Sequence, residues 1–252
     1  MILRNPSFIS RSLTAIFLLL LAPALLAEPL RVALSPDYKP LAFKQDGKLV
    51  GIEVDNAREV ASILGREVVY VEMTSADYIE ALNSGKVDVV MSGYSVTPER
   101  EGQVAFARPF MQIGQMAIIL SERAGELAHP RAMYREGTRI GAEPGTTGET
   151  FARENFGAAK VVTYPSPSAA FNGLRKRDIE FYIHDAPTSW TLAQSREDQD
   201  LLSLFRPLTR EELAWAVKKD NTRLLGQLNA ALAELERSGR LRAIQNYWIP
   251  LT

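Results

Sequence analysis

Short apolar stretches and helical repeats alternate along this chain, and the alternation begins twice. Leu30–Leu34 opens a strand–helix–strand pattern that ends at Val87–Met91, with apolar residues at helical spacing across 54–64. The pattern restarts at Arg139–Ala142 and continues to Ile179–Ile183. Such alternation predicts mainly parallel sheets with helices on both faces. Because it occurs twice, we expect two α/β units rather than one.

Glycines and turn residues predict where several elements end. Asp46 with Gly47 indicates a small hairpin, and Gly65 and Gly239 each follow an apolar helical repeat, as a helix C-terminus often does. The segment Leu213–Val217 is predicted to be one strand. Two helices are expected after it, the second ending near Trp248.

The N-terminus has the features of a secretory signal peptide. Arg4 and Arg11 precede an apolar run over 15–22, and small residues lead to Ala27. The run is shorter than the roughly 20 residues of a membrane span. We therefore expect residues 1–27 to be cleaved and the rest to lie in the periplasm. An uncleaved membrane anchor is the alternative, and the cleavage position itself is not fixed by the sequence.

Charge and cysteine content exclude some partners and cofactors. Without Arg4 and Arg11 the 29 Lys and Arg residues fall to 27 against 30 Asp and Glu, a formal net charge of −3. This balance argues against nucleic acid or an anionic membrane as a partner. The chain has no cysteine, so it has neither disulfides nor a lipid-anchoring thiol. No phosphate-binding, dinucleotide or zinc motif is present, and we predict no metal and no cofactor.

Three polar segments follow predicted strands directly. Ser92–Arg100 offers hydroxyls, main-chain N–H groups and a guanidinium suited to a carboxylate. Pro144–Gly148 is a glycine-containing turn into a helix N-terminus, which favours an anion. His184-Asp185 ends a third strand, and its carboxylate could accept from an ammonium group. An anion site and a cation site together complement an α-amino acid, although each segment alone could be a capped helix, a turn or a surface ion pair.

The ordered set of these segments resembles the bacterial extracellular solute-binding proteins of family 3, the polar amino-acid-binding proteins of ABC importers. The resemblance covers essentially residues 28–250. It rests on Leu30–Val32, Tyr38–Pro40, 46–55, Gly85–Asp88, Ser95–Arg100, Phe106–Phe110, Gly145–Thr147 and Asp185. It implies a type II periplasmic-binding-protein fold of two lobes joined by a two-strand hinge. Each lobe is expected to be a mixed, mainly parallel sheet flanked by helices.

The resemblance also implies a role for each matching residue. Arg100 would clamp the ligand carboxylate, assisted by Thr147 and nearby N–H groups, including those of Thr146. Asp185 would accept the ligand ammonium. Ser95 and main-chain groups near Gly93 would complete the pocket, and Tyr38 would stack on the ligand side chain.

Several positions depart from the family pattern. Ser35 stands where lysine- and arginine-binding members often carry an acid, which makes a basic ligand less expected. Ser75 replaces a second aromatic wall, with Tyr78 one turn later. Glu143 replaces an apolar pocket residue. It could face the cleft and select a donor-rich side chain, or it could bond the neighbouring turn.

The predicted organisation is a lobe of residues 28–110 plus 210–252 and a second lobe of 111–209, which close about a hinge in the manner of a Venus flytrap. We expect a monomeric binding protein and not an enzyme, one that delivers an amino acid or small carboxylate to an inner-membrane ABC permease. Two alternatives use the same scaffold. One is a soluble ligand sensor for a membrane receptor. The other is a prephenate or arogenate dehydratase with Glu143, Glu149 or His184 as general acid.

Overall fold

The computed structural model describes residues 28–204 and 206–249. The expected signal peptide, residues 1–27, lies outside them. In chain order the strands β1 to β15 are Leu30–Leu34, Asp37–Tyr38, Ala42–Gln45, Lys48–Val50, Val68–Glu72, Val89–Val90, Val104–Phe106, Met111–Ile113, Gln115–Leu120, Arg139–Ala142, Lys160–Thr163, Phe181–Asp185, Leu201–Ser203, Glu211–Leu213 and Ala216–Lys218. The helices α1 to α9 are Ile52–Leu64, Tyr78–Asn83, Pro98–Glu101, Ala124–Leu127, Thr147–Asn155, Pro167–Arg175, Ala186–Leu192, Thr222–Arg237 and Arg240–Trp248.

The strands form two five-stranded sheets with the same plan. The first has the order β5-β1-β6-β15-β7, and the second has the order β11-β10-β12-β9-β13. In each sheet the first three strands are parallel and the fourth is antiparallel to the third. Two sheets are therefore present, as the repeated sequence pattern predicted, and in each of them one strand, β15 or β9, runs opposite to the other four.

Each sheet has its own apolar core. The apolar stripe of α8, which includes Leu224, Leu228 and Leu232, packs with α1 against the first sheet, and Trp215 is fully buried there. The second sheet buries Ile140, Phe156 and Phe181 in a separate cluster. Burying these separate faces gives each half a core of its own.

A two-stranded ladder joins the two halves. It pairs β8 antiparallel to β14, with Met111 opposite Leu213 and Ile113 opposite Glu211. The prediction of one strand over Leu213–Val217 is wrong in this respect. The segment divides into β14, which belongs to the ladder, and β15, which belongs to the first sheet. The apolar run looks continuous because both parts are buried, but the chain passes from the ladder to the sheet at Ala214-Trp215.

Several predicted ends are confirmed. Asp46 and Gly47, both with positive φ, form the turn between β3 and β4. Gly65 ends α1 in the left-handed conformation, which glycine adopts most readily. Gly239 separates α8 from α9. Across residues 28–204 and 206–249, no helix is long and apolar enough to cross a membrane.

Candidate ligand-binding site between the two halves

A small polar cavity lies between the two halves, near the carboxyl ends of the central strands. Its volume is about 40 Å³, so the facing walls are close together. All eight predicted site residues line it. The full lining is Ser35, Tyr38, Ser75, Tyr78, Ser92, Gly93, Tyr94, Ser95, Arg100, Gln115, Glu143, Thr146, Thr147, Ile183, His184 and Asp185. Residues distant in the sequence thus meet at one place.

Arg100 is held in position by contacts within the protein. Pro98 begins the short helix α3, and the side chain of Thr97 caps it by accepting from the main-chain N–H of Arg100. The guanidinium lies 3.9 Å from the ring centroid of Tyr94. It donates to the carbonyl oxygens of Ser95 at 2.8 Å and Gly145 at 2.9 Å. Two main-chain acceptors and an aromatic face therefore orient a cation that is only 8% exposed.

Asp185 ends β12 and already has two donors. The hydroxyl of Tyr38 and the side-chain amide of Gln115 each donate to one of its carboxylate oxygens. Burial raises the pKa of Asp185 above its ordinary value, because a buried carboxylate loses hydration, and the charge of Glu211 adds to the rise. Tyr38 belongs to the first half and Asp185 to the second, so this bond joins the two walls.

Gly93 allows Tyr38 to approach closely. Gly93 has φ +61°, and a Cβ at this position would come within 2.8 Å of the Tyr38 ring and 2.3 Å of a Leu41 methyl carbon. Only glycine fits both the conformation and the space. The Tyr38 ring meets His184 edge-on, with 4.8 Å between centroids. Its stacking on a ligand side chain stays a prediction.

Glu143 faces the cavity, and its side chain bonds to two residues of the neighbouring strand. The hydroxyl of Tyr182 donates to its Oε1 at 2.8 Å, and Nε2 of His184 lies 2.9 Å from the same oxygen. Burial tends to lower the pKa of His184. The hydrogen bond and charge of Glu143, with the charge of Asp185, outweigh that effect and raise it. Glu143 and Asp185 therefore favour the protonated form of the imidazole on this wall.

The predicted turn is present before α5, but some of its main-chain N–H groups already donate to side chains of this protein. Thr146 caps the helix by accepting from the N–H of Glu149 at 3.2 Å. Glu149 in turn accepts from the N–H of Gly145 at 2.9 Å and pairs with Arg153. Glu149 does not line the cavity, and nothing in its contacts suits it to act as a general acid there.

Two residues at the site were missed by the sequence analysis. Gln115 donates to Asp185 and to Thr147, the latter at 3.1 Å. Glu211 accepts from the hydroxyls of Ser95 and Thr147. Gln115 did carry a signal in the sequence, because it is the single polar residue of the otherwise apolar run 115–120. In the structure it is only 1% exposed, which is unusual for a glutamine. Glu211 gave no such signal, since Glu212 beside it is exposed and looks the same in sequence.

The other histidine, His129, lies outside this cavity. His129 is exposed and accepts from the main-chain N–H of Arg131. Across the described part of the chain, no group of three or more His, Asp or Glu side chains is arranged to hold a metal ion.

The two similar sheets, the connecting ladder and a polar cavity between them define a two-lobed α/β binding protein. The chain matches the family model "Bacterial extracellular solute-binding proteins, family 3" over residues 30–250, and it belongs to that family. The resemblance inferred from the sequence is thereby confirmed, and so is the type II fold.

Two relatives and one solved structure illustrate the range of similar proteins. The chain is 29% identical over 220 residues to the L-cystine-binding protein TcyJ of Escherichia coli strain K12, covering 87% of this chain and 82% of that one. It is 27% identical over 223 residues to cyclohexadienyl dehydratase of Pseudomonas aeruginosa, with the same coverage of 87% and 82%. It is also similar to the crystal structure of the ancestral amino acid-binding protein AncCDT-1, a precursor of cyclohexadienyl dehydratase. The TM-score is 0.82 and the identity 29%, over 88% of this chain and 95% of that one.

Proposed function

We propose that this protein binds an amino acid between its two lobes in the periplasm and delivers it to an ABC permease. One observation carries the proposal: Arg100 and Asp185, a buried cation and a half-buried carboxylate from opposite halves, line the same cavity. Residues 1–27 would direct export and be removed. Family membership supports the role, because most of the similar curated proteins are amino-acid-binding proteins.

The two charged groups suit the two ends of a zwitterion. A guanidinium held by carbonyl groups keeps further N–H donors for a carboxylate, and a planar pair of such bonds is strong and directional. Asp185 would exchange the Tyr38 hydroxyl for the ligand ammonium. That exchange replaces a neutral donor with a charged one in a buried setting, where charge-assisted bonds are stronger.

Hinge closure would couple binding to lobe movement. The β8–β14 ladder connects the halves, and Arg100 and Asp185 reach the ligand from opposite sides. A ligand gripped from both sides binds the closed form better, and this difference in affinity is what shifts the equilibrium toward closure. The closed form of a monomer would then be the form presented to the permease.

Screening the twenty amino acids by thermal shift and calorimetry tests the proposal. A ligand that binds the native state raises the unfolding temperature in a concentration-dependent way. We expect Arg100→Ala to weaken binding by about a hundredfold or more, because a buried carboxylate would lose its charged partner. Arg58→Ala, which alters an exposed arginine paired with Asp55, is the matched control. Failure of every amino acid to bind, or full affinity in Arg100→Ala, contradicts the proposal.

A dehydratase is the second candidate, and the His184–Glu143 pair is the observation that favours it. The imidazole is buried on the cavity wall, and its raised pKa would let it donate a proton to a leaving hydroxyl group. The similarity to cyclohexadienyl dehydratase points the same way. Incubation with prephenate or arogenate, with detection of the aromatic product, decides the matter. Turnover that His184→Gln abolishes would establish an enzyme, and no turnover by the intact protein would reject one.

A further inference from the structure

Glu211 joins both halves of the molecule through a single carboxylate. Its Oε2 accepts from the hydroxyl of Ser95 at 2.6 Å and from the hydroxyl of Thr147 at 2.7 Å. Its Oε1 accepts from the hydroxyl of Thr209 at 2.6 Å. Ser95 and Thr147 both line the cavity, whereas Glu211 lies behind them. We propose that Glu211 is a positioning residue that latches the two lobes together and orients these two hydroxyls.

The contact between Glu211 and Ser95 is fixed by the backbone. Ser95 forms a β-bridge with Leu213, and the N–H of Val96 donates to the carbonyl of Glu212 at 2.8 Å. Glu211 therefore stays beside Ser95 as long as β14 keeps its place next to the first half. Thr147 comes from the other half, on the first turn of α5. Only the bond to Thr147 thus depends on lobe closure.

The charge of Glu211 favours this closed arrangement. Thr147 is the first residue of α5, so closure brings a carboxylate to the N-terminus of a nine-residue helix. Negative charge at a helix N-terminus is stabilised by the helix dipole. Hydroxyl-to-carboxylate bonds are also stronger than neutral ones. These contacts at Thr147 therefore oppose the repulsion between the Glu211 carboxylate and the Asp185 carboxylate of the second half.

The latch also changes how a ligand would be held, an argument that rests on the proposed function. The hydroxyl hydrogens of Ser95 and Thr147 both point to Glu211, so a ligand carboxylate depends on Arg100 and main-chain N–H groups. Because Glu211 lies outside the cavity lining, the ligand need not displace it. A larger closed fraction before binding raises the apparent affinity in proportion.

Interlobe distances without ligand test the latch directly. The chain has no native cysteine, and Glu80→Cys with Glu154→Cys places spin labels at exposed positions of opposite halves. We expect Glu211→Ala to shift the distances to longer values and to weaken ligand binding about tenfold, with Glu211→Gln between the two because it keeps one acceptor. In a Thr147→Val background, Glu211→Ala should add no further opening. Glu212→Ala, an exposed neighbour, is the matched control.

Two results would overturn the latch. One is an unchanged distance distribution in unliganded Glu211→Ala. The other is tighter ligand binding in that variant, which would make Glu211 a competitor of the ligand. The distance measurement needs no ligand, so it tests the latch even if no amino acid binds. Conversely, amino-acid binding with unchanged distances rejects the latch and leaves the proposed function intact.

Discussion

The two halves of the molecule fix their central strands with the same ion-pair arrangement. Arg31, in β1, donates to Asp88 through its main-chain N–H at 2.9 Å and through Nη2 at 2.6 Å. Arg139, at the start of β10, does the same to Glu180 at 2.8 Å and 2.5 Å. In both halves the acid's own N–H returns to the arginine carbonyl at 2.9 Å. The same strand order is therefore held by the same contact, whether the acid is Asp or Glu.

The halves differ in where their other inward-facing carboxylates lie and what they do. In the first half, Glu53 is fully buried and accepts from the N–H of Gly93 at 2.9 Å and the indole of Trp215 at 3.0 Å. In the second half, Glu143 and Asp185 line the cavity instead. The first half thus uses a buried acid to fix its own core, and the second half exposes its acids to the shared cleft.

Buried side-chain N and O atoms without a hydrogen-bond partner occur in both halves. Of the described residues, three have a buried side-chain atom without a hydrogen-bond partner: Asn56 Oδ1, Gln115 Oε1 and His184 Nδ1. Gln115 and His184 belong to the second sheet and line the cavity, whereas Asn56 lies in the first half. Buried polar atoms are usually paired, so the two on the cavity wall are suited to a ligand.

The largest effect should come from the buried acid of the first half. Glu53→Ala leaves an N–H, an indole and the Asn56 amide without an acceptor, and we expect it to lower the free energy of unfolding by about 3 to 5 kcal/mol. Glu143→Ala should cost about 1 to 2 kcal/mol, because water in the cavity can reach its former partners. Urea denaturation measures both. Equal losses of unfolding free energy in Glu53→Ala and Glu143→Ala would contradict the view that only the first half uses its buried acid for stability.

The Arg31–Asp88 and Arg139–Glu180 ion pairs should make similar contributions to the free energy of unfolding and should lose them in the same way at low pH. Burial raises the pKa of Asp88 and of Glu180, but the hydrogen bonds from Arg31 and Arg139 outweigh it and hold both values below the ordinary range. Their contribution is therefore present at neutral pH and lost as pH falls through the lowered pKa values. We expect Asp88→Asn and Glu180→Gln each to cost about 1 to 3 kcal/mol at pH 7 and less in acid.

Denaturation curves of both variants and of the unaltered protein at pH 7 and in acid provide the measurement. Lys44→Ala, which removes an exposed ion pair with Glu72, is the control and should be nearly silent. A clear loss in one variant and none in the other would break the equivalence of the two halves.

The smallest effect should be the pH dependence of ligand binding, which rests on the proposed ammonium site. Asp185 must be ionised to pair with an ammonium group, and burial raises its pKa. Affinity should therefore fall as pH decreases through that raised value, by at most about tenfold per pH unit. Calorimetry across mildly acidic pH checks this. Asp185→Asn should bind weakly at every pH without this slope, and a slope that persists in that variant would exclude Asp185 as its source.

Strands inside the two sheets were easier to predict from the sequence than the ladder that joins the halves. Arg139–Ala142 was located to the residue, whereas the strand at Leu213–Val217 was merged from two, because periodicity reports burial and not the sheet to which a residue belongs. The sequence predicted eight site residues because each follows a strand or matches a family position, and all eight line the cavity. Glu211 was missed because its role depends on contacts across 64 and more residues of chain. Gln115 was missed although it is a polar residue at the start of an apolar run.

The sequence by itself determined the repeated α/β pattern, the absence of disulfides and the residues that could bind a zwitterion, because hydropathy and residue chemistry are local properties. Only the tertiary structure decided that Glu143 pairs with His184 and that Glu211 spans the two halves. Both contacts join residues distant in the chain. The first depends on strand pairing within the second sheet, and the second depends on how two separately packed sheets meet. No local pattern encodes either.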